Sequence, residues 1–401
     1  MTVTIDPSAT VTSVPGFRAG AVYAGMKTAG EGKLDVAILA ADRPCNVAAT
    51  FTQNVLHSAS VDINRAHLAD GRAQAVVVNA GIANSSTGQR GFDDGEQAAA
   101  WAADKLGLAP ADVLICSTGV IGHYLPMEKM RAGISAVTLS PDGGAAFARA
   151  IMTTDTRPKH GSVRFGPYTL GGCTKGSGMI HPNMATMLAF LATDASIEPR
   201  FLQRSLSRAV TLSFNRMSID GDTSPSDTAL LFSPVSGSDV VTEGTTVGDN
   251  FVAALQALCI YLAKEMARDG EGATRLIEAT VTGAASEEEA AALVRLLTTS
   301  YLLKSAIHGA DPNWGRIVSV VGRSGLRVTE PSVTVDLCGH RVYENELPTD
   351  LVIDKPEVVS EAMKGDTVTI GVHLGSGEGT ATGWGCDLSA EYVHINADYH
   401  T

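Results

Sequence analysis

Three short runs limit what this chain can become: "LDVAILAA" at 34–41, "QAVVVNAG" at 74–81 and "DVLICSTG" at 112–119. Aliphatic and β-branched residues fill them and turn residues bound them. That is the pattern of buried strands, because such side chains pack well on a pleated surface. Helices are expected between some of them. "DDGEQAAAWAADKLGLAP" has acidic residues in its first turn, an alanine-rich body, and Gly107 placed to end it before Pro110. In the second half, "DNFVAALQALCIYLAKEMARDGEG" carries apolar residues at helical spacing and ends in Gly270. Ser286 and Glu289 form a capping box for a further long helix, "SEEEAAALVRLLTTSYLLKS". Strand-rich segments are expected from about Ser332 to Val393, interrupted by "GSGEGTATGWG". The order of elements is mixed α and β without regular βαβ alternation, fixed-period repeat or long Pro/Ser linker.

A chain of 401 residues with 44% hydrophobic content can bury large cores, and its length fits two or three domains or lobes. The net charge of −13 and the lack of any Lys/Arg run disfavour nucleic acid and anionic membrane surfaces as partners. No stretch approaches the roughly eighteen consecutive apolar residues of a membrane span. The N-terminus lacks a basic region followed by an apolar one, so a soluble, cytoplasmic protein is expected. The six cysteines, Cys45, Cys116, Cys173, Cys259, Cys338 and Cys386, show no C-x-x-C pair and fit reduced, mostly buried thiols.

Three glycine loops invite a phosphate reading: "GGCTKGSGM" at 171–179, "DGDTSPSD" at 220–227 and "GSGEGTATG" at 375–383. None has P-loop or dinucleotide-binding spacing, and a tight turn is the commoner meaning of such a loop. Asp220, Asp222 and Asp227 lack the calcium-loop pattern and read as a solvated turn. The ten histidines show no H-x-x-x-H spacing, so neither a metal nor a cofactor is expected. "GCTKGSGMI" is no nucleophile elbow, because Ser177 lies between Gly176 and Gly178 at the wrong spacing.

One stretch joins two unlike pieces. In "KGSGMIHPNMATMLAF", Lys175 to Phe190, a cationic glycine loop runs into an apolar segment that contains Thr186. A β-branched residue in a buried strand is the bland reading of that threonine. The chemical one starts from its hydroxyl, a weak nucleophile unless a base removes the proton; an economical base is the residue's own α-amine, with a pKa of about 7.7 to 8.0. Within a peptide the nitrogen is an amide, so the Ala185–Thr186 bond must be cut first.

This stretch resembles the self-cleaving ornithine acetyltransferases, or glutamate N-acetyltransferases, of arginine biosynthesis. Further blocks agree in order across nearly the whole chain: "PGFRAG", "VVVNAGIANSSTG", "CSTGVIG", "IMTTDT", "SIDGDTSPSDT", "ARDGEGATR", "HGADPNWGRI", "GWGCDL" and "YVHINADYHT". The resemblance implies a layered α-β-β-α sandwich, of the type shared with self-processing aminopeptidases, and a smaller C-terminal α/β lobe from about 280 to 401. It implies cleavage into an α chain, 1–185, and a β chain, 186–401, that begins with the nucleophile Thr186. Thr118 and Gly119 would form the oxyanion hole, and Thr153, Lys175, Thr186, Glu271, Asn396 and Thr401 would bind substrate. A fixed cation suits a substrate carboxylate and a carboxylate suits an amine, roles that fit Lys175 and Glu271.

The reaction so implied moves acetyl from N-acetylornithine to glutamate through acetyl-Thr186, without a cofactor. Part of the family also takes acetyl from acetyl-CoA. The two chains would assemble as an α2β2 heterotetramer. Rival readings are a self-processing aminopeptidase or amidohydrolase, although those use serine, an acyltransferase of a specialised pathway, and a protein that cleaves itself only to mature as a binding assembly.

Overall fold

The computed structural model describes residues 3–27, 32–181 and 187–398. Its first half contains β1 (Ile5–Asp6), β2 (Phe17–Val22), β3 (Val36–Phe51), α1 (Ala59–His67), β4 (Arg72–Ile82), α2 (Gly88–Leu106), β5 (Val113–Val120), α3 (Met127–Ala136), α4 (Gly144–Ala150), β6 (Lys159–Phe165), β7 (Tyr168–Lys175) and β8 (Leu188–Thr193). There follow α5 (Pro199–Leu212), β9 (Met217–Ser218), β10 (Thr228–Pro234), α6 (Thr246–Arg268), β11 (Leu276–Ala284), α7 (Glu287–Thr299), α8 (Tyr301–His308) and α9 (Trp314–Gly322). The chain ends with β12 (Thr334–Leu337), β13 (His340–Glu344), β14 (Leu347–Pro348), α10 (Asp350–Asp354), α11 (Pro356–Ala362), β15 (Thr367–His373), β16 (Gly379–Cys386) and α12 (Ala390–Asp398).

The three Val/Ile-rich runs are the start of β3, β4 and β5, and they lie in a sheet ordered β1-β6-β7-β8-β10-β3-β4-β5, with β2 also on β3. Strand β3 pairs with β2 through its first part and with β10 through its last, and its register with β4 shifts between Ala40 and Cys45. A bulge of this kind bends a strand and sharpens its twist. The sheet therefore folds onto itself: Leu39, Val76, Val78 and Leu114 of one half share a core with Leu188, Phe190, Leu230 and Phe232 of the other. Alternate residues face outward. Ile38, Val77 and Ile115 pack on Ile63, Ala98, Ala102 and Ile134 of α1, α2 and α3, while Ala189, Leu191 and Leu231 pack on α5 and α6. The layers run α-β-β-α, as expected.

The second sheet is ordered β14-β13-β12-β15-β11-β16-β9 and carries α7, α8 and α9 on one face. Helix α6 lies between the two sheets, where Leu262 and Met266 share a core with Trp384, Cys386 and Leu276. By length and composition this 23-residue helix could cross a membrane. In the fold it is a core helix, with its apolar side taken by both sheets. All six cysteines are free and five are buried, which pushes the Cys45 thiol up to about 12 and leaves it inert.

Three expectations are corrected. Helix α2 begins at Gly88, so Asp93 and Asp94 lie beyond its first turn; Thr87, bonded to Asn84, shapes the turn ahead of it. The long helix after Ser286 breaks at Ser300 with a bend of 59° between α7 and α8, which lets the buried Lys304 ammonium donate to the Ile219 carbonyl. Ser286 still accepts the Glu289 N–H at 3.2 Å. Finally, Gly379–Cys386 is not an interruption but β16, held between β11 and β9 with α7 packed closely on its small residues, and the segment that contains Val393 is helical. Ladder pairing on both edges outweighs the poor strand propensity of glycine.

Candidate active site

Two of the three glycine loops, 171–179 and 220–227, open on one cavity of about 510 Å³. Its wall is completed by the end of β5, by Thr153 and Thr154, by Glu271 and by Tyr392 and Asn396 of α12.

At the end of β5, Thr118 and Gly119 pair in parallel with Ala80 and Gly81 of β4. Gly119 has φ +129°, and a Cβ there would fall on the Gly81 carbonyl, so only glycine allows this close approach. The Thr118 hydroxyl, almost wholly buried, accepts a hydrogen bond of 3.0 Å from Lys175 Nζ.

Lys175 is the last residue of β7 and is 1% exposed. Burial pushes its pKa down, against the opposing pull of Asp155, Asp227 and Glu271. Glu271 follows the end of α6; its N–H donates to the Ser177 carbonyl at 2.8 Å and its Oε2 accepts from Asn396 Nδ2 at 2.7 Å. A Cβ at Gly178 would lie 2.5 Å from the Glu271 carboxylate, so the glycine lets that carboxylate rest against the loop.

The Thr153 N–H donates to Asp155 Oδ2 at 3.0 Å, and the hydroxyls of Thr154 and Ser177 share a bond of 2.7 Å. Asp155 in turn pairs with the buried Lys159 at 2.5 Å and accepts the Gly176 N–H at 2.7 Å, while Lys159 also reaches Asp269 at 2.6 Å. Burial alone would raise the Asp155 carboxyl, but Lys159, Lys175 and the Gly176 N–H outweigh it and hold it well below the usual range. On the opposite wall Asp220 accepts the N–H groups of Met179 and Ile180 at 2.5 and 2.8 Å, tying the two glycine loops together. Burial raises its carboxyl in spite of these donors.

The structure brings Thr118, Gly119, Thr153, Lys175, Glu271 and Asn396 to this one cavity from positions spread over most of the chain. Ala185, Thr186 and Thr401 lie outside the described residues. The reading of 220–227 as a solvated turn is overturned for Asp220, which is 7% exposed, and for Asp227, which is completely buried, while Asp222 is exposed as that reading expects. Asp155, Asp220, Asp227 and Tyr392 escaped the sequence reading. The density of polar and glycine residues in "SIDGDTSPSDT" was the one signal available. Among the described residues no group of three or more His, Cys, Asp or Glu gathers as metal ligands.

A second cavity of about 820 Å³, lined by Lys27, Lys33 and Arg149, shares Thr153 and Thr154 with the first. Burial pushes the Lys27 ammonium down to about 8.

Comparison with known proteins agrees with the fold. The arginine biosynthesis bifunctional protein ArgJ of Dehalococcoides mccartyi is 44% identical, over 100% of this chain and 99% of its own. The protein of the same name from Thermus thermophilus is also 44% identical, over 96% of this chain and 98% of its own. A crystal structure of an arginine biosynthesis bifunctional protein ArgJ from Bacillus halodurans, 42% identical with a TM-score of 0.50, covers 53% of this chain and 100% of that one. The ArgJ family pattern matches residues 18–401. A chain that is related over its full length, and that gathers the residues of the resemblance in one cavity, belongs to the ArgJ family.

Proposed function

We propose that this protein is an acetyltransferase of arginine biosynthesis that cuts itself between Ala185 and Thr186 and then carries acetyl from N-acetylornithine to glutamate on Thr186. The observation that carries this reading is the convergence of Thr118 and Gly119, Lys175 and Glu271 on one cavity, with Lys175 paired to Leu188 two residues after Thr186. The full-length relatives named for arginine biosynthesis support the pathway.

In the cleavage step the Thr186 hydroxyl attacks the Ala185 carbonyl, and an N-to-O acyl shift gives an ester. The shift breaks the Ala185–Thr186 C–N bond and frees the Thr186 α-amine; water then hydrolyses the ester, releasing the Ala185 carboxylate and restoring the Thr186 hydroxyl. That amine takes the hydroxyl proton as Thr186 attacks the acetyl donor; ornithine leaves with a proton, and glutamate takes the acetyl group in a second displacement. The Thr118–Gly119 turn is pre-aimed to hold the oxyanion of each tetrahedral intermediate. The buried Lys175 ammonium, bonded to Thr118, adds positive charge where water cannot screen it. Glu271 and Asn396 face the substrate amine, Thr153 lines the same wall, and Thr401 joins the substrate contacts.

No separate cofactor carries the acetyl group. The bifunctional names of the relatives favour acetyl-CoA as a second donor, and CoA release with glutamate as acceptor tests it. The enzyme works in the cytoplasm as an α2β2 assembly, for which light scattering under native conditions is the check.

Intact mass spectrometry of the wild type beside Thr186→Ala, before and after N-acetylornithine, decides the central claim. Two fragments split before Thr186, an uncut variant and one acetyl on the β chain are expected. A whole, unlabelled wild type would overturn the mechanism.

A further inference from the structure

Asp227 stands just ahead of β10 and is completely buried. Its Oδ1 accepts the Met187 N–H at 2.7 Å, and the next residue, Thr228, donates its N–H to the Met187 carbonyl at 3.1 Å. Both backbone polar groups of Met187 are therefore held by two consecutive residues of another strand. A backbone N–H entering a parallel ladder ordinarily finds a carbonyl; here a side-chain carboxyl takes that place. The second oxygen, Oδ2, is buried and accepts no hydrogen bond among the described residues, since the nearby Thr52 hydroxyl donates to the Ser224 carbonyl at 2.7 Å instead. A buried, half-spent carboxyl is unfavourable, and native structures keep such groups where they serve a purpose.

The amide that Asp227 grips is the one that joins residues 186 and 187. We propose that Asp227 is a positioning residue for the nucleophile: its buried carboxyl clamps the Thr186–Met187 amide and so orients the threonine for cleavage and for acetyl transfer. The inference rests on the reading of Thr186 as the nucleophile. Position, rather than charge, is what the clamp supplies. Burial raises the Asp227 carboxyl well above its usual range, with the Met187 N–H, Lys175 and Thr52 opposing, and the acceptor at Oδ1 is present whether or not the acid is ionised.

A crossed pair of variants separates position from charge. Asp227→Asn keeps the volume and the acceptor and loses the charge; Asp227→Glu keeps the charge and displaces the acceptor by one methylene. Self-cleavage is followed by denaturing electrophoresis during expression and refolding, and acetyl transfer by kcat and KM over pH. Misplacement of a reacting group by about 1 Å lowers rates on the order of 100-fold. Asp227→Glu is therefore expected to cleave and turn over on the order of 100-fold more slowly, with KM little changed. Asp227→Asn is expected to stay within a few-fold of wild type and to keep its pH profile.

The reverse pattern, with Glu active and Asn inactive, overturns the proposal in favour of a charge effect. Wild-type rates in both variants overturn it as well. Failure of Asp227→Asn to fold would do the same, by making the carboxyl a structural requirement. Failure of the underlying reading is distinct, for then the wild type itself is neither cut nor acetylated.

Discussion

At the level of single residues, two glycines decide how closely groups approach in the cavity. Gly178→Ala is expected to push the Glu271 carboxylate off the loop, because the new Cβ would lie 2.5 Å from it. The outcome is a rise in KM on the order of tenfold, about 1.4 kcal/mol of lost binding, with thermal stability nearly unchanged; steady-state kinetics beside a melting curve checks both. Gly119→Ala acts on the backbone instead. Its φ of +129° and its contact with Gly81 leave no room for a Cβ, so a loss of about 1–3 kcal/mol or more in urea unfolding is expected, together with the loss of self-cleavage.

At the level of elements, a buried ion network ties the loop after α4 to the start of β6 and the end of α6. Lys159 sits between Asp155 and Asp269 with no solvent exposure of its side chain. Lys159→Met leaves the buried Asp155 without the cation it pairs with and Asp269 with only Arg157 at 3.9 Å, and a loss of about 3–5 kcal/mol is expected in denaturant unfolding. The network also sets a pH dependence. The folded-state pKa of Asp155 is depressed, so its contribution to stability is complete above the unfolded value of about 3.9 and is lost as pH falls through the folded value. Asp155→Asn, less stable than wild type at neutral pH, is expected to converge with it as pH drops below about 4, as read from chemical unfolding at several pH values. Helix α12 lies at the other extreme. It has no buried residue and is held at the site by Asn396 on Glu271 and by Ser389 Oγ on the Gly272 carbonyl at 2.6 Å. Deletion of residues 396–401 is expected to lower transfer at least about tenfold with little change in the melting temperature, since removing exposed chain ends rarely touches the core.

For the whole molecule, the proposed cut at Ala185–Thr186 would divide one folded sheet. Strand β8 pairs antiparallel with β7 from Leu170–Thr193 to Lys175–Leu188, and β10 pairs with β3 from Thr228–Phe51 to Pro234–Cys45, so strands on both sides of the cut interleave. The two products are expected to co-elute in size-exclusion chromatography and to separate only in denaturant. The 186–401 piece expressed alone would keep the β8–β10 pair but leave β8 without β7 and β10 without β3, and unpaired apolar strand edges aggregate; soluble, monodisperse 186–401 would contradict this arrangement.

Local pattern was enough for β3, β4 and β5, whose Val/Ile runs suit only a buried pleated surface, and for the ending of α2 at Gly107. Motif resemblance carried Thr118, Gly119, Lys175, Glu271 and Asn396, but each of these alone reads as a turn or a solvated charge. Burial distinguishes Thr118, Lys175 and Glu271, and burial is a property of the fold, while the exposed Asn396 is marked only by its bond to Glu271. Asp227 and Met187 are forty residues apart and meet only because β8 and β10 are neighbours. The amino-acid order by itself determined β3, β4 and β5, the main helices apart from the break at Ser300, and the family, because periodicity and motif spacing are local. The cavity, the buried Asp155–Lys159–Asp269 network and the clamp on Met187 were decided by tertiary structure alone, because desolvation and pairing across the sheet depend on which distant segments the fold places side by side.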